Sequence, residues 1–141
     1  MRPPRRAALL GRDVRTSRRA VAVAVALGVA VFAAYELVLH STLSGAVWYP
    51  YPVAGLVVGA AAVHAYRNDG LLVCLVLGLC PSFGFDLYHF GIGRQVASRR
   101  VLLAATSPSL FVGLAYASLG FVAGAMLCRI AGAVRPAADA V

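Results

Sequence analysis

The chain has 141 residues, of which 61% are hydrophobic and only 13% charged, and its formal net charge is +8. A soluble domain averages about 45–50% apolar and about 25% charged residues, whereas here the apolar excess gathers into four blocks with the charges between them. That distribution argues against a water-soluble core, and against nucleic acid as the target of the positive charge, because a nucleic-acid module needs a soluble body to display its cations.

All thirteen basic residues are arginine, and seven of them lie in residues 1–19. Pro3 and Pro4 discourage a helix at the very start. Such an arginine-rich stretch reads as a cytoplasmic tail, held inside by its charge and in contact with anionic lipid. The run Ser17-Arg18-Arg19-Ala20-Val21 resembles a twin-arginine export signal, and Ala24-Val25-Ala26 offers a small-x-small cleavage site. Against cleavage, the apolar run continues past Ala26 and three more follow, which favours an anchor that stays in place.

Residues 20–40 predict the first span, about 31 Å long and so about one hydrocarbon thickness. Ala22, Ala26, Val29, Ala33, Glu36 and His40 share a narrow stripe of that helix. Small faces are where transmembrane helices approach each other, so Glu36 and His40 should point into the bundle or at its outer mouth. Residues 41–52 form the first outer connection, with Trp48, Tyr49 and Tyr51 suited to the interfacial aromatic belt and Pro50 and Pro52 breaking the helix. Residues 53–66 predict a short second span, about 21 Å, which needs tilt or local thinning to cross. Gly55 and Gly59 form a GxxxG face with Ala62, and His64 falls on the opposite side near the inner end.

Arg67-Asn68-Asp69-Gly70 has the composition of a tight turn, which makes the second and third spans antiparallel neighbours. The third span, 71–90, repeats Cys74, Gly78, Ser82 and Asp86 at every fourth position, with His89 near the same face. Pro81 within it predicts a kink. Residues 91–107 form the second outer connection. Arg94, Arg99 and Arg100 oppose the positive-inside rule there but are outnumbered by the tail, and the segment can lie flat with Val96 and Leu103 down. Ser107 as cap and Pro108 at the first helical position open the fourth span, 109–128. It carries a small-residue face of Gly113, Ala117, Gly120, Gly124 and Cys128, and Arg129 is expected to end it. Residues 130–141 read as a mobile cytoplasmic tail. Cys74, Cys80 and Cys128 all sit inside apolar blocks and read as buried thiols rather than a disulfide framework.

The expected fold is therefore all-α: a polytopic membrane protein, a four-transmembrane-helix bundle over 20–129 with both termini cytoplasmic. Glu36 and His40 on the first span and Asp86 and His89 on the third then lie at one depth near the outer end. Two carboxylates and two imidazoles at one level can form a proton relay, a divalent-metal site or a coupled titrating cluster. The plainer reading is helix-end residues bonded to one another or to the arginines above. No HExxH, GxSxG, Walker or CxxC pattern is present, so neither an enzyme nor a cofactor is expected. Two functions follow. One is a small non-enzymatic integral protein of the cell membrane that packs with itself or with another membrane protein through Gly55, Gly59, Gly113, Gly120 and Gly124. The other is a small transporter or proton- and ion-handling protein built on Glu36, His40, Asp86 and His89.

Overall fold

A computed structural model of the chain describes residues 9–39, 51–89 and 97–138. Among these residues the fold is all-helical: α1 (Val14–Leu39), α2 (Tyr51–Asn68), α3 (Leu71–His89), α4 (Ala97–Ala105) and α5 (Pro108–Ala138). Three stretches among the described residues are long and apolar enough to cross a membrane: Val14–Leu37, Leu71–His89 and Pro108–Ala133. α2 is the fourth long helix, about 27 Å by its rise per residue.

Local chemistry moves several ends away from the expected ones. α1 starts at Val14 rather than residue 20, because Asp13 caps it: its Oδ1 accepts from the Arg15 amide (3.0 Å) and its Oδ2 from the Thr16 amide (3.2 Å) and Thr16 Oγ1 (2.7 Å). Arginine is a good helix former, so the run from Arg15 to Arg19 extends the span instead of remaining a tail. α2 takes in Tyr51 and Pro52, proline being tolerated in a first turn. Asp69, at φ 58°, and Gly70 then turn the chain into α3. Ser107 caps α5 as expected, its Oγ accepting from the Ser109 amide at 3.2 Å. α5 does not stop at Arg129 but continues to Ala138.

α3 is the hub. It packs on α1, α2, α4 and α5, α2 packs on α5, and α1 meets α2 only slightly. α1 and α3 run parallel, with Gly28 against Cys80 and Gly84 and Tyr35 against Phe85 and Tyr88. α5 runs back along α3, placing Gly113 on Gly78 and Ser82. The faint echo between Tyr35-Glu36-Leu37 and Phe85-Asp86-Leu87 would suit two equivalent hairpins; the slight α1–α2 contact beside the broad α3–α5 contact makes the two hairpins unequal.

The packing is inverted relative to a soluble bundle. The interior holds Ala24, Ala61, Ala65, Ala117 and Cys74, all fully buried, with Asn68, Ser82 and Asp86 each 2% exposed. The large apolar side chains Val29, Leu37, Phe111, Leu119 and Met126 point outward and are exposed. Small residues inside and bulky ones outside suit lipid as the surrounding medium, where close backbone approach rather than water exclusion drives association.

The glycines divide. On α5 the expected face is used: a Cβ at Gly120 would lie 2.5 Å from the Val58 carbonyl oxygen and 2.8 Å from Ala61 Cβ, and one at Gly124 would meet the Ala62 carbonyl. A Cβ at Gly113 would meet Ser82 Oγ. Gly55 and Gly59 differ from expectation, since a Cβ at either meets nothing within 4 Å among the described residues. α2 instead buries Val53, Val57, Ala61 and Ala65, a stripe rotated away from its GxxxG.

Candidate functional site

Two polar clusters interrupt this apolar bundle, one near each end. At the end where α3 and α5 begin to diverge toward α4, Asp86 is 2% exposed on the face of α3 turned to α5. Ser109 Oγ donates to Asp86 Oδ1, and Ser109 Oγ lies 2.8 Å from Ser107 Oγ. The cap of α5 and the carboxylate thus share one hydroxyl chain. The sequence supplies it locally: a Ser-Pro-Ser start puts the cap Oγ and the Ser109 Oγ on one side of the first turn, with Pro108 needing no partner for an amide hydrogen. Asp86 Oδ2 is buried with no hydrogen-bond partner among the described residues.

Of the remaining members of the expected quartet, Glu36 and His89 lie among the described residues. Glu36 is half-buried on α1 and interacts electrostatically with Tyr88. His89 is exposed at the end of α3, stacked on Phe85 at 5.8 Å between ring centroids and within electrostatic reach of Asp86. His40 lies outside the described residues. Phe85 and Tyr88, packed on Tyr35 at 5.1 and 5.5 Å, occupy the α1-facing side of α3 at the level where Glu36 sits. Among the described residues, no group of three or more His, Cys, Asp or Glu side chains is placed to hold a metal ion. What the arrangement offers is a sequestered carboxyl with one oxygen held by a hydroxyl chain and the other buried without a partner among the described residues. Beside it, between α1, α3 and the start of α5, lies an apolar cavity of about 460 Å³ lined by Gly28, Phe32, Cys80, Phe83, Gly84 and Leu110 among others.

The second cluster joins the segment before α1 to the α2–α3 turn. Asn68 is 2% exposed, and its Oδ1 accepts from the Asp13 amide at 2.7 Å. Its Nδ2 donates to the Asp13 carbonyl (3.1 Å) and to Ser17 Oγ (2.8 Å), while the Arg12 amide donates to the Asn68 carbonyl (2.9 Å). Ser17 Oγ in turn donates to the Leu10 carbonyl at 2.5 Å. Gly11, at φ 90°, lets the backbone pass directly over Asn68. On the outside, Arg12 reaches Asp69 Oδ2 at 2.6 Å, an exposed pair in which the Asp69 hydrogen bond and charge hold the guanidinium more firmly protonated. Composition alone marks Asn68-Asp69 as a tight turn; the one signal that could have pointed to a docked segment is the spacing of Gly11, Asp13 and Ser17, a cap with a flexible approach and a hydroxyl one turn on.

Comparison with protein-family models, with curated proteins and with solved structures finds no match for this chain.

Proposed function

We propose that this chain is a non-enzymatic, multi-pass integral protein of the cell membrane that handles protons or small ions at Asp86. The single observation that carries the reading is the carboxyl itself: fully enclosed between two apolar helices, with Oδ1 on Ser109 and Oδ2 without a partner among the described residues. An ionisable side chain is expensive inside a membrane and is kept there where it binds or relays a charge. His89, within electrostatic reach of it, and Glu36, beside Tyr88 on the α1 side, are the candidate exits toward the surface. The glycine face of α5, by contrast, is engaged on α2 and α3, so it is not free to seat a partner.

The membrane topology belongs to the same proposal. α1, α2, α3 and α5 each cross once, with α2 tilted or the bilayer locally thinned, and both termini are cytoplasmic. The contact of Arg12 with Asp69 supports this, because it sets the segment before α1 and the α2–α3 turn on one side. That end also carries Arg15, Arg18, Arg19 and Arg67, the excess that the positive-inside rule assigns to the cytoplasm. Single-cysteine variants in a background lacking Cys74, Cys80 and Cys128 test it. Impermeant reagent should label Leu102→Cys from outside intact cells and Asp69→Cys only after the membrane is opened; the reverse pattern would defeat the topology.

For the carboxyl, the measurement is decay of an imposed pH gradient across vesicles holding the purified chain and a trapped pH dye. The wild type should dissipate the gradient faster than empty vesicles, Asp86→Asn should fall to the empty-vesicle rate, and Ser109→Ala should be slower than wild type. Gradient decay in Asp86→Asn equal to wild type would reduce Asp86 to a structural residue.

A further inference from the structure

The slight contact between α1 and α2 leaves a groove at the arginine-rich end of the bundle, about 400 Å³ in volume. Thr16, Arg19 and Arg67 stand at one end of it, and Val23, Gly59 and Val63 line its length toward the middle of the bundle. We propose that this groove is a binding site for one anionic phospholipid, its phosphate between Arg19 and Arg67 and one acyl chain along Gly59.

Three observations converge on that ligand. First, the charge is uncompensated from within. Asp13 caps α1 and Asp69 is paired with Arg12, so the nearby carboxylates are already engaged. Among the described residues neither Arg19 nor Arg67 has a carboxylate partner. Two guanidinium groups at a membrane surface attract an anionic headgroup, and arginine binds phosphate with geometric as well as electrostatic preference. Second, the groove is amphipathic along its length, cationic at the end and aliphatic beyond, which matches a phospholipid and would be wasted on a free anion. Third, the absent side chain at Gly59 keeps the groove open, since a Cβ there meets nothing within 4 Å among the described residues. Among the described residues glycine packs against nothing at this position, unlike Gly120 or Gly124.

The site rests on the membrane reading above but not on the carboxyl: lipid retention is read without any flux. The experiment uses native mass spectrometry of the full chain in detergent, titrated with phosphatidylglycerol, with phosphatidylcholine of the same chains, and with glycerol phosphate. Phosphatidylglycerol should be retained at least about tenfold better than phosphatidylcholine, the order expected for two basic side chains facing an anionic headgroup. Glycerol phosphate should not be retained. Arg19→Gln combined with Arg67→Gln should abolish the headgroup preference. Gly59→Leu should lower retention of both lipids without lowering thermal stability, because its Cβ meets nothing within 4 Å among the described residues and the rest of the side chain takes up groove volume rather than a packed contact. Equal retention of the two phospholipids would overturn the proposal. So would glycerol phosphate bound as well as the lipid, or Gly59→Leu retaining lipid like the wild type.

Discussion

Asn68→Ala is expected to release the segment preceding α1 and to cost about 2–4 kcal/mol of stability. The side chain closes three hydrogen bonds, to the Asp13 amide, the Asp13 carbonyl and Ser17 Oγ, in a place 2% exposed. Each such bond contributes about 1 kcal/mol net, and truncation leaves the buried Ser17 hydroxyl without its donor. The neighbouring ion pair should matter far less. Arg12 and Asp69 are 63% and 34% exposed, so solvent screens them, and surface pairs of that kind contribute about 0–1 kcal/mol. Arg12→Ala should therefore be nearly silent where Asn68→Ala is not, and limited trypsin cleavage at Arg15, a site both variants retain, separates the two. Equal cleavage rates in Asn68→Ala and wild type would refute the clasp. Acidity offers a second handle. The Thr16 hydroxyl and the Arg15 and Thr16 amides hold the Asp13 carboxyl below its ordinary value. A carboxylate whose pKa is depressed on folding contributes stability that is complete above its unfolded pKa, about 3.9, and lost as pH falls through the lower folded value. Amide exchange at Arg15 and Thr16 should stay slow from neutral pH down to the ordinary aspartate range and accelerate only below it.

How much of this was legible in advance depended on whether a feature is local or rotational. Long apolar runs, the Asp69-Gly70 turn and the Ser107–Pro108 helix start are local chemistry, and they appear where composition puts them. The end of α5 did not, because Arg129 is as good a helix former as it is a stop signal. Which face of a helix meets which neighbour is harder. In a segment apolar all round there is no polar side to mark the outside, so Gly55-Gly59 and Ala61-Ala65 were equally plausible packing faces for α2. The alanine stripe packs, continuous with Val53 and Val57, and the glycines stay open. Asp86 shows the same limit. Its depth beside Glu36 followed from counting residues, but its turn toward α5 depends on the rotation of α3. That rotation is set by Gly84 seating on Gly28 on one side and Gly78 on Gly113 on the other. Asn68 was missed for a different reason: asparagine in a turn ordinarily faces water, and its burial requires the segment before α1 to fold back over it.

The α1–α3 crossing itself should be the most intolerant point in the bundle, and Gly84→Ala is expected to destabilise the protein by about 3 kcal/mol. A Cβ at Gly84 would fall on the carbonyl oxygen of Gly28, and a Cβ at Gly28 would fall 2.6 Å from the carbonyl oxygen of Cys80. Both obstacles are helix backbone, which cannot swing aside as a side-chain tip can, so one methyl group must push the two axes apart. Separation there loosens contacts on either side of the crossing: Ala24 with Val73 and Leu77 toward one end, and Tyr35 with Phe85 and Tyr88 toward the other. Because α1 meets α2 only slightly, chiefly at the Asn68 clasp at its start, the α3 crossing is its main packing surface among the described residues. Thermal unfolding in detergent should drop sharply for Gly84→Ala, and a Tyr35→Cys, Tyr88→Cys pair that crosslinks in the parent background should lose that crosslink when Gly84→Ala is added. The control lies in the same sequence. Gly55→Ala and Gly59→Ala add the same methyl group to a helical glycine that faces open space, and they should leave stability within about 0.5 kcal/mol of the parent. A Gly84→Ala protein as stable as Gly55→Ala would mean that the two helices do not cross at these glycines, and the rotation that turns Asp86 toward Ser109 would lose its cause.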